Sequence, residues 1–280
     1  MTVTFSARGG GKVPATGASR AGRRCLLTAL AALAALPVLA QAQSESDRTA
    51  VIARAKQSVV AIGTYDRLRK PPFLFSGTGF AIEDGSIVAT NAHVLPANIN
   101  AEHREALIVV LPNAGSSSDQ FRAVKSVKVD KDRDVALLTL QGGKLPPMKL
   151  SASKQPPLEG QELLFTGFPI GTVLGFVPAT HRAMISAITP LAMPEPDSSR
   201  LDPARVKRLS GPPLSMIQLD AVSYPGNSGS PLYDARTGEV VGILNATFVK
   251  QSREAAISQP SGISFAVPVQ FVTELLEDRR

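Results

Sequence analysis

From Val59 to Val267 the chain is a succession of short β-type runs separated by turn chemistry, and this rhythm restricts the fold more than any other feature. Val59-Val60-Ala61-Ile62 opens it as an apolar, β-branched run. Phe80-Ala81-Ile82 and Ile87-Val88-Ala89 flank Glu83-Asp84-Gly85-Ser86, whose Asp-Gly pair predicts a tight hairpin. Further strands are expected over 107–111, 123–129, 135–140, 162–166, 183–188, 216–219, 240–244 and 263–267. Many short strands with Gly and Pro turns predict an all-β sandwich or barrels. Helical patterning is confined to the flanks. Residues 43–57 read as a tail and a short amphipathic helix with Ser46 or Asp47 as N-cap, and residues 269–278 as a terminal helix turning Phe271, Val272 and Leu275 inward. The proline-rich stretch 189–213 breaks the rhythm and is expected to be a long surface loop.

Ahead of the strands, Arg20, Arg23 and Arg24 precede an uncharged run from Cys25 to Ala40 that ends in Ala40-Gln41-Ala42. A positive end, a short apolar run and a small-residue cleavage site are the three parts of a secretory signal peptide. The apolar run is shorter than the roughly 20 residues of a membrane span. Residues 1–42 are therefore expected to be a leader, cut after Ala42 or Ala40, and residues 43–280 a protein without a stable membrane span, exported to the periplasm or secreted. The Arg23-Arg24 pair leaves both the general and the twin-arginine export routes open.

Removing the leader changes the charge argument. It holds five basic residues (Arg8, Lys12, Arg20, Arg23, Arg24) and no acidic one, so the formal +7 falls to +2. A nucleic-acid partner is not expected on that balance. The one cysteine, Cys25, leaves with the leader, which excludes a disulfide, thiol chemistry and a thiolate metal site from the remainder. With no His-Glu-x-x-His either, a zinc hydrolase is excluded, and no cofactor or metal is expected. About 240 residues remain, enough for one large all-β unit with a substantial core.

Ser228 sits in Gly226-Asn227-Ser228-Gly229-Ser230-Pro231. A nucleophilic serine must project from a tight turn, with backbone N–H groups facing the oxyanion formed in acyl transfer. The amides of Gly226 and Ser228 are the candidates for that oxyanion hole. The base must be a histidine, and His93, His103 and His181 all precede Ser228. That order excludes the α/β-hydrolase arrangement, whose histidine comes last, and Ser230 breaks its Gly-x-Ser-x-Gly elbow. His103 lies in a polar, surface-like run, and His181 begins a strand. His93, in Thr90-Asn91-Ala92-His93-Val94, falls where a strand enters a short turn, and an imidazole with an ordinary pKa of roughly 6.5 suits a general base near neutral pH. Of Asp130, Asp132 and Asp134, the last abuts the apolar run 135–140 and is the candidate that orients the histidine, with Asp130 and Asp132 left to solvent. A subtilisin-like order would need an aspartate before His93, for which Asp84, in a hairpin turn, is poorly placed.

Taken in order, Gly77-Thr78-Gly79-Phe80, Thr90-Asn91-Ala92-His93-Val94, Asp132-Arg133-Asp134-Val135-Ala136-Leu137-Leu138 and Gly226-Asn227-Ser228-Gly229-Ser230-Pro231 resemble the trypsin-like serine peptidases, most closely the bacterial HtrA-type branch. The resemblance covers roughly residues 50–275. It implies an all-β fold of two six-stranded barrels, over approximately 50–145 and 146–275, with a short C-terminal helix. The catalytic triad would lie between the barrels, His93 and Asp134 from the first and Ser228 from the second. Gly167-Phe168-Pro169-Ile170-Gly171 and Ser261 to Pro268 resemble two further family segments. By the same matching Thr247 and Phe248 are walls of the primary specificity pocket, and Val222, six residues before Ser228, stands where trypsin carries its selecting aspartate. A pocket without fixed charge predicts preference for a small or medium apolar side chain.

The sequence departs from the family in three ways, the first being that the segment Tyr65 to Phe75 is too short for the long regulatory loop found there in some members. The PDZ domains that commonly follow the protease are not expected after Arg280. Ser230 replaces a frequent second glycine and is similar to the glutamyl endopeptidases, whose pocket histidine has no counterpart in Leu244 to Phe248. The expected function is a serine endopeptidase acting through an acyl-enzyme on polypeptides, unfolded proteins among them. Related proteins often form trimers, so an oligomer is compatible with the reading. The rival function is a catalytically silent or chaperone-like peptide-binding protein on the same scaffold.

Overall fold

A computed structural model of the chain describes residue 4 and residues 47–96, 105–111, 121–153, 155–171, 177–190, 215–245 and 262–278. Twelve strands form two closed antiparallel barrels of six each. The first contains β1 (Val59–Tyr65), β2 (Phe73–Ile82), β3 (Ile87–Thr90), β4 (Ala106–Val110), β5 (Phe121–Asp130) and β6 (Val135–Leu140). Their order is β1-β2-β3-β6-β5-β4, and β4 closes on β1. The second contains β7 (Glu162–Gly167), β8 (Ala179–Pro190), β9 (Ser215–Asp220), β10 (Pro231–Asp234), β11 (Val240–Asn245) and β12 (Ile263–Pro268). Their order is β10-β11-β12-β9-β8-β7, and β7 closes on β10.

Alternation along β1 explains its unbroken apolar sequence. Val60 and Ile62 pack with Val88, Val109 and Leu138 in a cluster confined to the first barrel. Val59 and Ala61, one residue out of phase, join a larger cluster with Phe80, Leu137, Tyr233 and Val267, so both faces of the strand are buried. Leu163, Phe165, Ile185, Leu219 and Leu244 form the second barrel's own cluster. The larger cluster draws residues from both barrels and from the two helices. Helix α1 (47–58) contributes Val51 and Ala55, and α2 (Gln270–Glu277) contributes Val272 and Leu275. Each fully buried aliphatic side chain in it is worth about 1.5–3 kcal/mol. Phe271 packs against the same cluster, as expected, but is only half-buried and carries the Arg133 guanidinium 5.0 Å from its ring centroid.

The Asp84-Gly85 hairpin forms as its chemistry dictates: Asp84 Oδ1 accepts from the Ser86 N–H at 3.0 Å and its hydroxyl at 2.6 Å, and Gly85 has φ 86°. Two strands differ most from expectation, and β8 also starts four residues earlier and ends two later than the 183–188 expected. β2 begins at Phe73 because its first residues pair with Gly63 to Tyr65 beyond a bulge at Ile62/Gly63, directly after Pro71-Pro72. β10 was not anticipated, since Gly229-Ser230-Pro231 reads as a turn; proline is tolerated as the first residue of this strand. The leader apart from residue 4, His103 and residues 191–213 of the proline-rich stretch lie outside the described residues, while Thr189 and Pro190 end β8. No helix among the described residues is long and apolar enough to cross a membrane.

Candidate active site

β3 and β6 are neighbours, with Thr90 paired to Ala136, so the residues just beyond their paired ends are brought together. After Thr90, Asn91 is extended and Ala92–Val94 makes one 3-10 turn, which buries Val94 and leaves His93 exposed at the rim. Ahead of β6, Asp130 at the end of β5 accepts through Oδ1 from the Asp132 and Arg133 amides, both at 3.0 Å, and so shapes the turn that delivers Asp134. Asp130 is thus partly buried and structural rather than left to solvent, while Asp132 is exposed. Asp134 itself has φ 55°, in the left-handed region that aspartate tolerates better than most residues.

His93 Nδ1 lies 2.7 Å from Asp134 Oδ2, and the His93 N–H donates to Asp134 Oδ1 at 2.9 Å. The carboxylate therefore grips both the ring and the backbone of one residue, which fixes the imidazole orientation. A carboxylate only accepts, so Nδ1 carries a proton, and in the neutral imidazole Nε2 is the nitrogen that keeps its lone pair.

The second barrel supplies residues 221–230, between β9 and β10, with Ser228 at 6% exposure. Four successive carbonyls of this loop are pinned. Pro225 O accepts from the Ile170 N–H at 2.8 Å, Gly226 O from the Thr78 hydroxyl at 2.7 Å, Asn227 O from the Ser230 N–H at 3.0 Å and Ser228 O from the Thr78 N–H at 2.8 Å. These peptides are trans, so each N–H points opposite to the carbonyl of its own peptide unit. Holding the Pro225 and Asn227 carbonyls thus directs the Gly226 and Ser228 amides away from Ile170 and Ser230. The intervening Asn227 amide is spent on Tyr224 O at 3.0 Å. Glycine is required at two places. Gly226 has φ 99° and a Cβ there would collide with Phe168 O; Gly229 has φ 88° and its Cβ would collide with Thr78 O and Thr90 Oγ1.

Two asparagines tie the halves together. Buried Asn91 donates from Nδ2 to Asp134 O at 3.0 Å and accepts at Oδ1 from the Gly229 N–H at 2.8 Å. Asn245, ending β11, donates from Nδ2 to Asp134 Oδ2 at 2.7 Å. The carboxylate oxygen that holds the imidazole is therefore also held by the second barrel. Neither asparagine was singled out from sequence, because each acts on partners far along the chain; the one local signal was the position of Asn91 two residues before His93.

The remaining candidates fall elsewhere. Val222 is half-buried in the 221–230 loop, while Thr247 and Phe248 lie outside the described residues. His181 stacks on Phe165 in the second barrel, centroids 4.9 Å apart, and burial pushes its imidazole below the usual histidine range. Asp84 is occupied by Ser86 and by Lys144 at 2.7 Å. Among the described residues no group of three or more His, Cys, Asp or Glu could hold a metal ion.

Two closed six-stranded barrels, one carrying a histidine–aspartate couple and the other a glycine-framed serine, define the two-barrel serine peptidase class. The family model described as the trypsin-like peptidase domain matches residues 77–243, more than half of the chain, and the chain belongs to this family. Its relatives include HtrA-type proteins. It is 28% identical over 233 residues to the human protein named serine protease HTRA3, covering 81% of this chain and 44% of that one. It is 30% identical over 210 residues to a Pseudomonas putida protein named probable periplasmic serine endoprotease DegP-like, covering 75% of this chain and 35% of that one. The chain thus spans less than half the length of these curated relatives. Among solved structures, the fold is similar to the active form of the Rv3671c protease from M. tuberculosis, with TM-score 0.57 and 24% identity over 81% of this chain and 82% of that one. A serine endoprotease from Yersinia pestis aligns with TM-score 0.56 and 23% identity over 82% and 65%.

Proposed function

We propose that the chain is a serine endopeptidase that hydrolyses peptide bonds through an acyl-enzyme, with His93, Asp134 and Ser228 as its catalytic triad. The observation that carries the reading is the 2.7 Å contact between His93 Nδ1 and Asp134 Oδ2, which leaves Nε2 as the proton acceptor. Ser228 Oγ attacks the scissile carbonyl as His93 Nε2 takes the hydroxyl proton. The new C–O bond pushes the carbonyl electrons onto the oxygen, where the Gly226 and Ser228 amides receive the charge. His93 then returns the proton to the leaving amine as the C–N bond breaks, and water repeats the sequence on the acyl-enzyme. Asp134 holds the imidazole tautomer throughout, and Asn91 and Asn245 hold Asp134.

Val222, Thr247 and Phe248 would line a pocket without fixed charge, favouring a small or medium apolar residue on the acyl side of the cut. Polypeptides are the substrates. The leader over 1–42, together with a relative named as periplasmic, supports action in the cell envelope after export. Protein recovered from the envelope then begins at Gln43, or at Gln41 if cleavage follows Ala40.

The test is digestion of casein by the purified protein beside Ser228→Ala, with cut sites read by mass spectrometry. Wild type is expected to cut after small or medium apolar residues and the variant to be silent. If neither cuts, and a fluorophosphonate fails to label Ser228, a peptide-binding protein on the same scaffold, or an enzyme latent until activated, becomes the better account.

A further inference from the structure

Thr78 is fully buried in β2 of the first barrel, yet its polar groups converge on the serine loop of the second. Its N–H donates to Ser228 O at 2.8 Å and its hydroxyl to Gly226 O at 2.7 Å. The same Oγ1 accepts from the Phe168 N–H at 3.2 Å. The Thr78 carbonyl accepts from the Thr90 hydroxyl at 2.7 Å and occupies the space a side chain on Gly229 would need. Of the four pinned carbonyls from Pro225 to Ser228, that of Gly226 is the one held by a side chain.

That bond sits at the loop's weakest restraint. The 226–227 peptide lies between the two amides proposed to receive the oxyanion. It follows Gly226, which has no Cβ to limit its ψ, so restraint must come from outside the residue. Tyr224 O holds the N–H end of this peptide and Thr78 Oγ1 the carbonyl end. The hydroxyl cannot rotate away without leaving the Gly226 carbonyl and the Phe168 N–H without their partner in a buried setting.

We infer that Thr78 is a positioning residue for oxyanion stabilisation, its hydroxyl reaching across the barrel boundary to keep the 226–227 peptide in the orientation that sets the Gly226 and Ser228 amides. The inference rests on the proteolytic reading above for its catalytic consequence. Its structural consequence, an ordered serine loop, is independent of that reading.

Two variants separate hydroxyl from bulk. Thr78→Val keeps the shape and the backbone bond to Ser228 O but removes the donor; Thr78→Ser keeps the donor and loses the methyl. Losing a whole oxyanion donor costs about 10²–10³ in rate, so losing the bond that positions one is expected to lower kcat about 10- to 100-fold in Thr78→Val, with KM within about twofold. Thr78→Ser is expected to recover kcat to within about threefold of wild type, which a packing role would not produce. Amide hydrogen exchange over residues 224–230 reads the loop without any activity, and is expected to quicken about tenfold in Thr78→Val and not in Thr78→Ser. Wild-type exchange in Thr78→Val, or a Thr78→Ser as impaired as Thr78→Val, overturns the inference. A wild type that cleaves nothing while exchange still follows the hydroxyl overturns the proteolytic reading and leaves the positioning of the loop standing.

Discussion

The two barrels contribute to the site in different chemical currencies. In the first, the proposed function resides in side chains: His93 and Asp134 meet because β3 and β6 are paired, and the backbone around them serves to aim two groups. In the second, the proposed function resides mostly in the backbone. Four carbonyls are held, two amides are thereby directed, and glycines at 226 and 229 permit the path. A site split this way should fail differently on its two sides. Polar truncation should destroy the first half and leave its framework intact, whereas an added methyl should disable the second without touching any titratable group.

The largest effect is expected from Asp134→Asn. The carboxylate Oδ2 now accepts from both His93 Nδ1 and Asn245 Nδ2. An amide with its oxygen in that position would turn its N–H₂ against the His93 backbone N–H that now donates to Oδ1; the flipped amide, which keeps that backbone bond, turns its N–H₂ against both His93 Nδ1 and Asn245 Nδ2. The imidazole then loses the partner that puts its proton on Nδ1, and kcat is expected to fall about 10⁴-fold with little change in KM. Steady-state cleavage checks the rate, and NMR checks the cause, since the hydrogen-bonded Nδ1 proton resonance should disappear. A variant retaining near wild-type kcat would break the assignment of the first barrel's role.

Gly226→Ala probes the other side. The added Cβ would collide with Phe168 O, would lie 2.8 Å from the Phe75 ring, and would sit at φ 99°, where L side chains are strained. The loop must shift and misdirect its amides, for an expected loss of about 10²–10³ in kcat. The His93 Nδ1 resonance should survive, in contrast to Asp134→Asn. If instead both variants lost that resonance, the separation between a side-chain half and a backbone half would collapse.

The same contrast governs what the sequence could disclose. Strands such as β6, Val135–Leu140, were legible residue for residue because their periodicity is local and both faces are buried. His93 and Asp134 stood out because each borders a strong strand signal, and the structure brings them into contact. Asn91, Asn245 and Thr78 were not legible. Asn245 reaches an aspartate 111 residues away, and Thr78 reaches Gly226 across 148, so their roles exist only once the barrels are assembled. β10 was hidden by its own composition, since a Gly-Ser-Pro start resembles a turn until its partners β7 and β11 are known. Backbone functions are the least visible of all, because the directed amides of Gly226 and Ser228 depend on which carbonyls find donors.

The smallest expected effect comes from the second barrel's histidine, which makes no direct contribution to the site. His181 stacks on Phe165 at an interplanar angle of 16°, and burial lowers its folded-state pKa below the ordinary value near 6.5. At pH well above about 6.5 neither the folded nor the unfolded state binds a proton there, and the residue adds no pH dependence. As pH falls through that value the unfolded chain takes up a proton that the folded chain refuses, so stability declines until the lower folded-state pKa is reached. His181→Phe keeps an aromatic partner for Phe165 and removes this step. Urea midpoints compared at about pH 7.5 and about pH 5 should therefore show a smaller acid loss in the variant, with cleavage at about pH 7.5 unchanged. An identical acid loss in both proteins would mean that His181 protonates in the folded barrel as readily as in water. A fall in kcat at the higher pH would mean that the second barrel's side chains reach the chemistry after all, which its backbone-built half of the site does not require.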